Sequence, residues 1–300
     1  MTVRLCLGVS ALLLLVSCNT KSKEAIELKF NMHKGSRFEY NITMDMNMQQ
    51  IAMRQDSGVK NTMGFTYLFE VVEENDTAKT VASTINKINM AMDAMGNQMH
   101  FDTDSVHGQD TSTPNAMLGN IFSTLKGAKF TFRINNKGEI SDIQGLNDMR
   151  QKMASVPGAP PIEAMSGLFN EESFRQNIEQ AFAAYPGKPV KTGESWTKNV
   201  SATSQGMKVN SINTYTLQSV QGDDALIKVA SKLSSAGSEQ MQGMQMNMTG
   251  TSAGTMHYDI PTGMPTDANV DMKMDIKMKG QGLDMPMTMT SKMTIKGKKL

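Results

Sequence analysis

Alternation of apolar and polar side chains dominates this chain. In YNITMDMNM, Tyr40, Ile42, Met44, Met46 and Met48 fall on one side of an extended strand and Asn41, Thr43, Asp45 and Asn47 on the other. VDMKMDIKMK repeats the pattern, with Val270, Met272, Met274, Ile276 and Met278 set against Asp271, Lys273, Asp275 and Lys277. MPMTMTSKMTI gives a third such face, from Met285, Met287, Met289, Met293 and Ile295, and Pro286 puts its start at a sheet edge or in the first residues of a strand. Turn residues at Lys34-Gly35, at Glu74 to Asp76 and at Asn136 to Gly138 each separate two alternating runs, the signature of hairpins.

The middle of the chain changes period. LNDMRQKMASVPG and PIEAMSGLFNEESFRQNIEQAFAAYPG have helical spacing, notably at Phe174, Ile178, Ala181 and Phe182, with a break near Gly167 to Asn170. Glu171 and Glu172 suit a first helical turn, and Pro186-Gly187 ends the run. Afterwards the hairpins resume in the same order. GESWTKNV at Gly193 parallels GSRFEYNI at Gly35, NTYTLQSVQGDDALIKVASKL parallels FTYLFEVVEENDTAKTVASTI, and GTMHYDIPTGMPTDANV parallels KFTFRINNKGEISDI. A degenerate internal duplication accounts for this, with convergent hairpin chemistry as the alternative. The predicted fold is mainly β (α+β): a large curled antiparallel sheet, either a half-barrel or a sandwich, because so many strands must curl or pair with a second sheet. Its N-terminal half spans 28–144 and its C-terminal half 187–300, around a helical insert near residues 145–186.

The first residues read as an address. Residues 1–17 form a signal peptide, a basic start followed by an apolar run too short to span a bilayer, and LVSC at Leu15 to Cys18 has the pattern of a bacterial lipobox. Cys18 is then the lipidated residue and residues 18–27 include a polar tether. Each buried methylene of the acyl chains adds about 0.8 kcal/mol of membrane affinity. Asn19 points to the outer membrane, and the lack of an acidic run in NTKSKEA favours the periplasmic face over the cell surface. With Cys6 removed and Cys18 acylated, cysteine nucleophiles, thiolate metal sites and disulfides drop out.

Charge narrows the partners. Thirty basic and 29 acidic residues leave a formal charge of +1, so no global field recruits nucleic acid. Nucleophile elbow, phosphate loop and zinc-protease motifs are absent from the sequence, and ENDTAKT and DTDSVHGQDTS lack calcium-loop spacing, which argues against an enzyme and implies no cofactor. Trp196 reads as a packed anchor at a strand start, and His100 and His107 as loop residues.

The anomaly is 29 methionines beside 11 Phe, 5 Tyr and 1 Trp. Ile42, Ile276 and Ile295 share the methionine faces and have no lone pair to donate, so those faces ask for apolar side chains. On this reading Met44, Met46, Met48, Met272, Met274 and Met278, together with Met285, Met287 and Met289, fill a core or line a groove. The competing reading is soft-metal binding, Cu(I) or Ag(I), through thioethers. Two less regular stretches are its candidates: NMAMDAMGNQMH, with Met90, Met92, Met95, Met99 and His100, and EQMQGMQMNMTG, with Met241, Met244, Met246 and Met248.

KGSRFEYNITMDM, VKTGESWTKN and GTMHYDIPTGMPTDANVDMKMDIKMKG resemble recurring blocks of an uncharacterised, methionine-rich lipoprotein family of Bacteroidota. The resemblance supplies no catalytic or binding residues. The expectation is a lipid-anchored cell-envelope protein without catalysis, a binding or scaffolding module for an apolar ligand or an envelope partner, with soft-metal binding as the alternative.

Overall fold

Long alternating runs become long strands. The computed structural model describes residues 24–50, 58–94, 96–105, 114–159, 171–204, 207–235, 239–241, 244–280 and 283–300. The signal peptide, Cys18, the tether through residue 23, Met95, His107 and the expected break at 167–170 lie outside them. In chain order the elements are β1 (Arg37–Gln50), β2 (Val59–Glu74), β3 (Ala78–Ala94), β4 (Asn97–Asp102), α1 (Pro114–Ser123), β5 (Lys129–Asn135), β6 (Ile140–Gln144), α2 (Leu146–Ala154) and α3 (Glu171–Phe182). They continue as β7 (Ser195–Ser204), β8 (Met207–Gln221), β9 (Asp224–Ser235), β10 (Glu239–Met241), β11 (Met244–Asp259), β12 (Met264–Gly280) and β13 (Leu283–Lys299).

All thirteen strands belong to one antiparallel sheet of order β6-β5-β3-β2-β1-β13-β12-β11-β9-β8-β7, with β4 beside β3 and β10 beside β11. It is not closed into a barrel and there is no second sheet among the described residues, so the sandwich alternative falls away. Each half of the chain is a meander, and the halves join where β1 pairs with β13. The outer strands β6 and β7 both pack against α3, so the expected helical insert connects and covers the two free edges.

The halves repeat their local chemistry. Gly35 (φ +85°) and Gly193 (φ +92°) take the left-handed conformation before β1 and β7. Gly35 N–H donates to Val71 O (2.8 Å) and Val71 N–H to Ser36 O (3.0 Å); Gly193 N–H donates to Leu217 O (2.7 Å) and Leu217 N–H to Glu194 O (3.1 Å). A bulge follows Val71 and another follows Leu217.

One face of the sheet holds the core, and its composition changes along the strands. At the end nearer the helices it is aromatic and aliphatic. Phe38 pairs with Phe69 and Tyr40 with Tyr67 across β1–β2, Phe69 meets Phe132 edge-on at 6.0 Å, and Phe130 meets Phe174 of α3 edge-on at 4.7 Å. The opposite face carries Asp45, Lys273, Asp275, Lys277 and Lys292, all exposed.

Three readings need correction. Residues 28–32, expected as a strand of the first hairpin, are extended but outside the sheet. One bridge, Ile26–Val190, and the Asn31 N–H to Thr262 O bond (2.9 Å) lay them across its end, where Leu28, Phe30 and Met32 are buried against the core. Helix α1 has no counterpart in the sequence reading, because its short apolar run offers less than three turns of periodicity. NMAMDA and QMNM, read as irregular, are strand, since flanking strands supply the pairing that glycine and glutamine weaken locally. Pro286 is the fourth residue of β13 and lies past the last β1–β13 pair, Gln50–Met287, which agrees with the proline argument.

Two buried tyrosines make opposite predictions. The Tyr185 hydroxyl donates to Gly263 O at 2.8 Å, whereas the Tyr40 hydroxyl is buried with no partner, and burial pushes both phenols well above their ordinary range. Tyr185→Phe is expected to lower stability by about 1–2 kcal/mol and Tyr40→Phe to leave it unchanged or raise it, read as urea midpoints.

Candidate functional site

Cross-strand register sorts the core face into rows. The row nearest the aromatic core runs Phe65, Ile42, Ile295, Ala268, Met256 and Ile227. Next comes Met90, Met63, Met44 and Met293, four methionines on four adjacent strands, continuing to Val270 and Gly254. The third row breaks the apolar surface: Asn61, Met46, Ser291, Met272, Ser252 and Ser231, then Asn213. Beyond it Met48, Met289 and Met274 adjoin Gly250, and then Ile276 meets Met287 and Met248.

The third row divides two apolar clusters. Below it is the large core. Above it Met248, Met274 and Ile276 are buried, with Met246, Met272, Met278, Met287 and Met289 packed around them. Along the row runs a cavity of about 630 Å³, lined by Met46, Asn61, Ser252, Met272 and Ser291 and by the residues on either side of each, among them Asp45, Lys60, Asp271, Lys273 and Lys292. That volume falls within the ~300–1,000 Å³ range of small-molecule sites. The Asn61 Oδ1 in its wall is buried and has no hydrogen-bond partner.

Glycine permits a close approach of two strands beside the row. A Cβ at Gly254 would sit 2.1 Å from Asn269 O and 2.7 Å from Val270 Cα, and one at Gly250 2.7 Å from Lys273 O and from Met274 Cγ. β11 and β12 therefore press together more closely than side chains on that face permit.

The methionines expected to line an apolar face are on this face, from Met44 to Met48 on β1, Met272 to Met278 on β12 and Met285 to Met289 on β13. The candidate metal residues are divided. Met90, Met92 and Met99 lie on the core face, with Met92 opposite Met99, while His100, expected in a loop, is instead in β4 opposite Ala91, because pairing with β3 extends this stretch, and it is exposed on the other face. Met246 and Met248 belong to the upper cluster, and Met241 and Met244 are paired positions of β10 and β11. Among the described residues no three His, Cys, Asp or Glu side chains are grouped to hold a metal, and no helix is long and apolar enough to cross a membrane. Trp196 is a core anchor, stacked on Tyr215 at 5.8 Å with its indole N–H donating to Ala184 O at 3.1 Å.

What sequence reasoning missed is the polar row, because Asn61, Ser252 and Ser291 are scattered in the chain and meet only through register. It also missed a charged cluster at the other end. Glu74 accepts from the Lys34 N–H (2.8 Å), the His33 ring (3.0 Å) and the nearly buried Lys79 ammonium (3.1 Å), which together pull its carboxyl from 4.5 to about 2. A depressed carboxylate stabilises the fold above its unfolded value, and that contribution is lost as pH falls through the window down to the folded value. Glu74→Gln is expected to lower the urea midpoint at pH 7 and to flatten its decline between pH 4.5 and 2.

Comparison with known proteins adds the following. No curated protein sequence matches the chain. A structure described as lipid–protein interactions in lipovitellin matches 89% of this chain at 10% identity with a TM-score of 0.49, and this chain spans only 25% of that one. Pseudomonas aeruginosa OpdQ matches 90% of the chain and 100% of its own at 6% identity (TM-score 0.21), and an outer membrane channel from Pseudomonas putida F1 matches 93% and 98% at 5% (TM-score 0.22). The family model that matches runs over residues 76–265, from the β2–β3 turn into β12. The chain belongs to DUF6263, a family of unknown function.

Proposed function

We propose that this is a lipid-anchored protein of the bacterial envelope that holds an apolar ligand, without catalysis, against the methionine half of its curled sheet. The observation that carries the reading is the cavity of about 630 Å³ between two apolar clusters. Unbranched thioethers repack around varied shapes, which suits a pocket for flexible chains. The lipobox at Cys18 and the outer-membrane destination, periplasmic face, come from the sequence.

Two measurements test it. The chain from residue 19 should take up N-phenyl-1-naphthylamine saturably, with fluorescence enhancement, and Ser252→Phe, which places a ring in the cavity, should weaken uptake at least tenfold while preserving the unfolding midpoint. Absence of saturable uptake would sink the reading. In cells, labelled palmitate should be incorporated and the protein should fractionate with membranes, and Cys18→Ala should abolish both.

One observation favours a second reading. Met90, Met63, Met44 and Met293 stand side by side on four strands, as thioether ligands of Cu(I) would. Cu(I) titration against a competing chelator decides it: stoichiometric binding lost on changing Met44 and Met63 to leucine supports metal handling, and no binding removes it.

A further inference from the structure

The methionine end of the sheet gathers the side chains that oxidants attack first. We propose that the half-buried methionines there are a modification site, a set of thioethers that hypochlorous acid converts to sulfoxides while the rest of the fold stays intact, so that the protein consumes oxidant. The inference does not depend on a bound ligand.

Oxidisable side chains are divided along the strands. Both cysteines, Cys6 and Cys18, fall in the first eighteen residues, so beyond them the thioethers are the most readily oxidised groups. The methionines of the large core are closed off: Met149 and Met153 of α2, Met256 of β11 and Met264 at the start of β12 are all buried. From the polar row outward the pattern reverses. Met48 is 36% exposed, and Met46, Met272, Met278, Met287 and Met289 are half-buried. The ring side chains open to oxidation lie at the other end. Tyr40, Tyr185, Tyr215, Tyr258 and Trp196 are buried in the large core, and Tyr67 packs against it.

The chemistry is a two-electron oxygen transfer. The thioether sulfur attacks the chlorine of HOCl, forming an S–Cl bond and displacing hydroxide. Water then attacks sulfur, an S–O bond forms as S–Cl breaks, and of the two protons released one neutralises the hydroxide. Sulfur loses two electrons and chlorine gains them, so the products are a sulfoxide, chloride and one proton.

This end of the sheet also tolerates the product. A sulfoxide is polar, and at Met153 its oxygen would be buried without a partner, which is strongly unfavourable. At the half-buried positions the oxygen can face water. In the polar row hydroxyls are at hand as well, since Ser291 lies between Met46 and Met272, and Ser252 is opposite Met272, so both can donate to a new S=O oxygen. The packing that holds the fold is elsewhere: the ring contacts Phe130–Phe174 and Trp196–Tyr215 belong to the large core, and the methionines of the upper cluster form a separate one. Methionine sulfoxide reductases reverse the change, which lets the same thioethers react again.

The test is titration of the chain from residue 19 with hypochlorous acid, quenched with free methionine and mapped by peptide mass spectrometry. Over about the first five molar equivalents, conversion at Met46, Met48, Met272 and Met289 is expected to exceed that at Met149, Met153, Met256 and Met264 at least tenfold. No chlorotyrosine should form in that range, and the near-ultraviolet circular dichroism of the aromatic end should not change. Methionine sulfoxide reductase with dithiothreitol should then restore the starting mass. A variant with Met46, Met48, Met272 and Met289 all changed to leucine, and with the parent's near-ultraviolet spectrum, should begin to form chlorotyrosine about four equivalents earlier. Even conversion of half-buried and buried methionines, chlorotyrosine from the first equivalents, early loss of the near-ultraviolet signal, or an onset that the leucine variant leaves in place would each overturn the proposal.

Discussion

Gly254→Val is expected to cost about 3 kcal/mol or more, enough to leave little folded protein at ordinary temperature. Any side chain there starts with a Cβ 2.1 Å from a carbonyl oxygen on β12 and 2.7 Å from Val270 Cα, so relief requires the two strands to separate. Separation would break the β11–β12 pairing there, and the loss would spread to the pairs Gly254–Val229 and Met256–Ile227 on β9. The comparison is Gly35→Ala, where φ is +85° and nothing lies within 4 Å of the new Cβ. There the cost is only that of a left-handed alanine, about 1–2 kcal/mol. Urea titrations of the three proteins check the ranking; a Gly254→Ala protein as stable as the parent would mean β11 and β12 are not so close.

Phe132→Ala is expected to cost about 3–5 kcal/mol, against about 1 kcal/mol for Met289→Ala. Phe132 is 1% exposed and touches Phe69 edge-on and Phe130 in a stacked arrangement, so its removal opens a void between rings that cannot close over it. Met289 is half-buried among other flexible side chains that can move into its place. The two substitutions should also part in binding. On the proposed ligand reading, probe affinity per folded molecule should survive Phe132→Ala and fall with Met289→Ala. Equal stability losses would indicate a single solid core and remove the reason for treating the upper cluster as a floor.

Strand existence and facing were legible because alternation is a local property: Met44 and Asp45 declare opposite faces without knowing their neighbours. The hairpin turns were legible for the same reason, as was α3 from Phe174, Ile178 and Phe182. Register was not. That Ser291 lies between Met46 and Met272, or that Asn61 meets Met46, depends on pairings up to 245 residues apart in number, Met46 with Ser291, which no local signal encodes. Pairing of the first sheet strand with the last was equally hidden, and it is what brings the three methionine faces onto one floor. The burial of Leu28, Phe30 and Met32 outside the sheet escaped because a plugging segment and an edge strand share one alternating pattern.

The β1–β13 junction sets the order in which this protein can finish folding. β13 emerges after every other described strand, yet it occupies the centre of the sheet, so until then β1 is an open edge of fourteen residues with methionines on one side and β12 is another. Each half can form its own local hairpins early, but the last-made strand must insert between two waiting edges, a closure of long sequence separation that is slow by nature. During that interval the two edges can pair with other chains, and a holdase chaperone that shields them would raise the yield of folded protein more than one that accelerates hairpin formation.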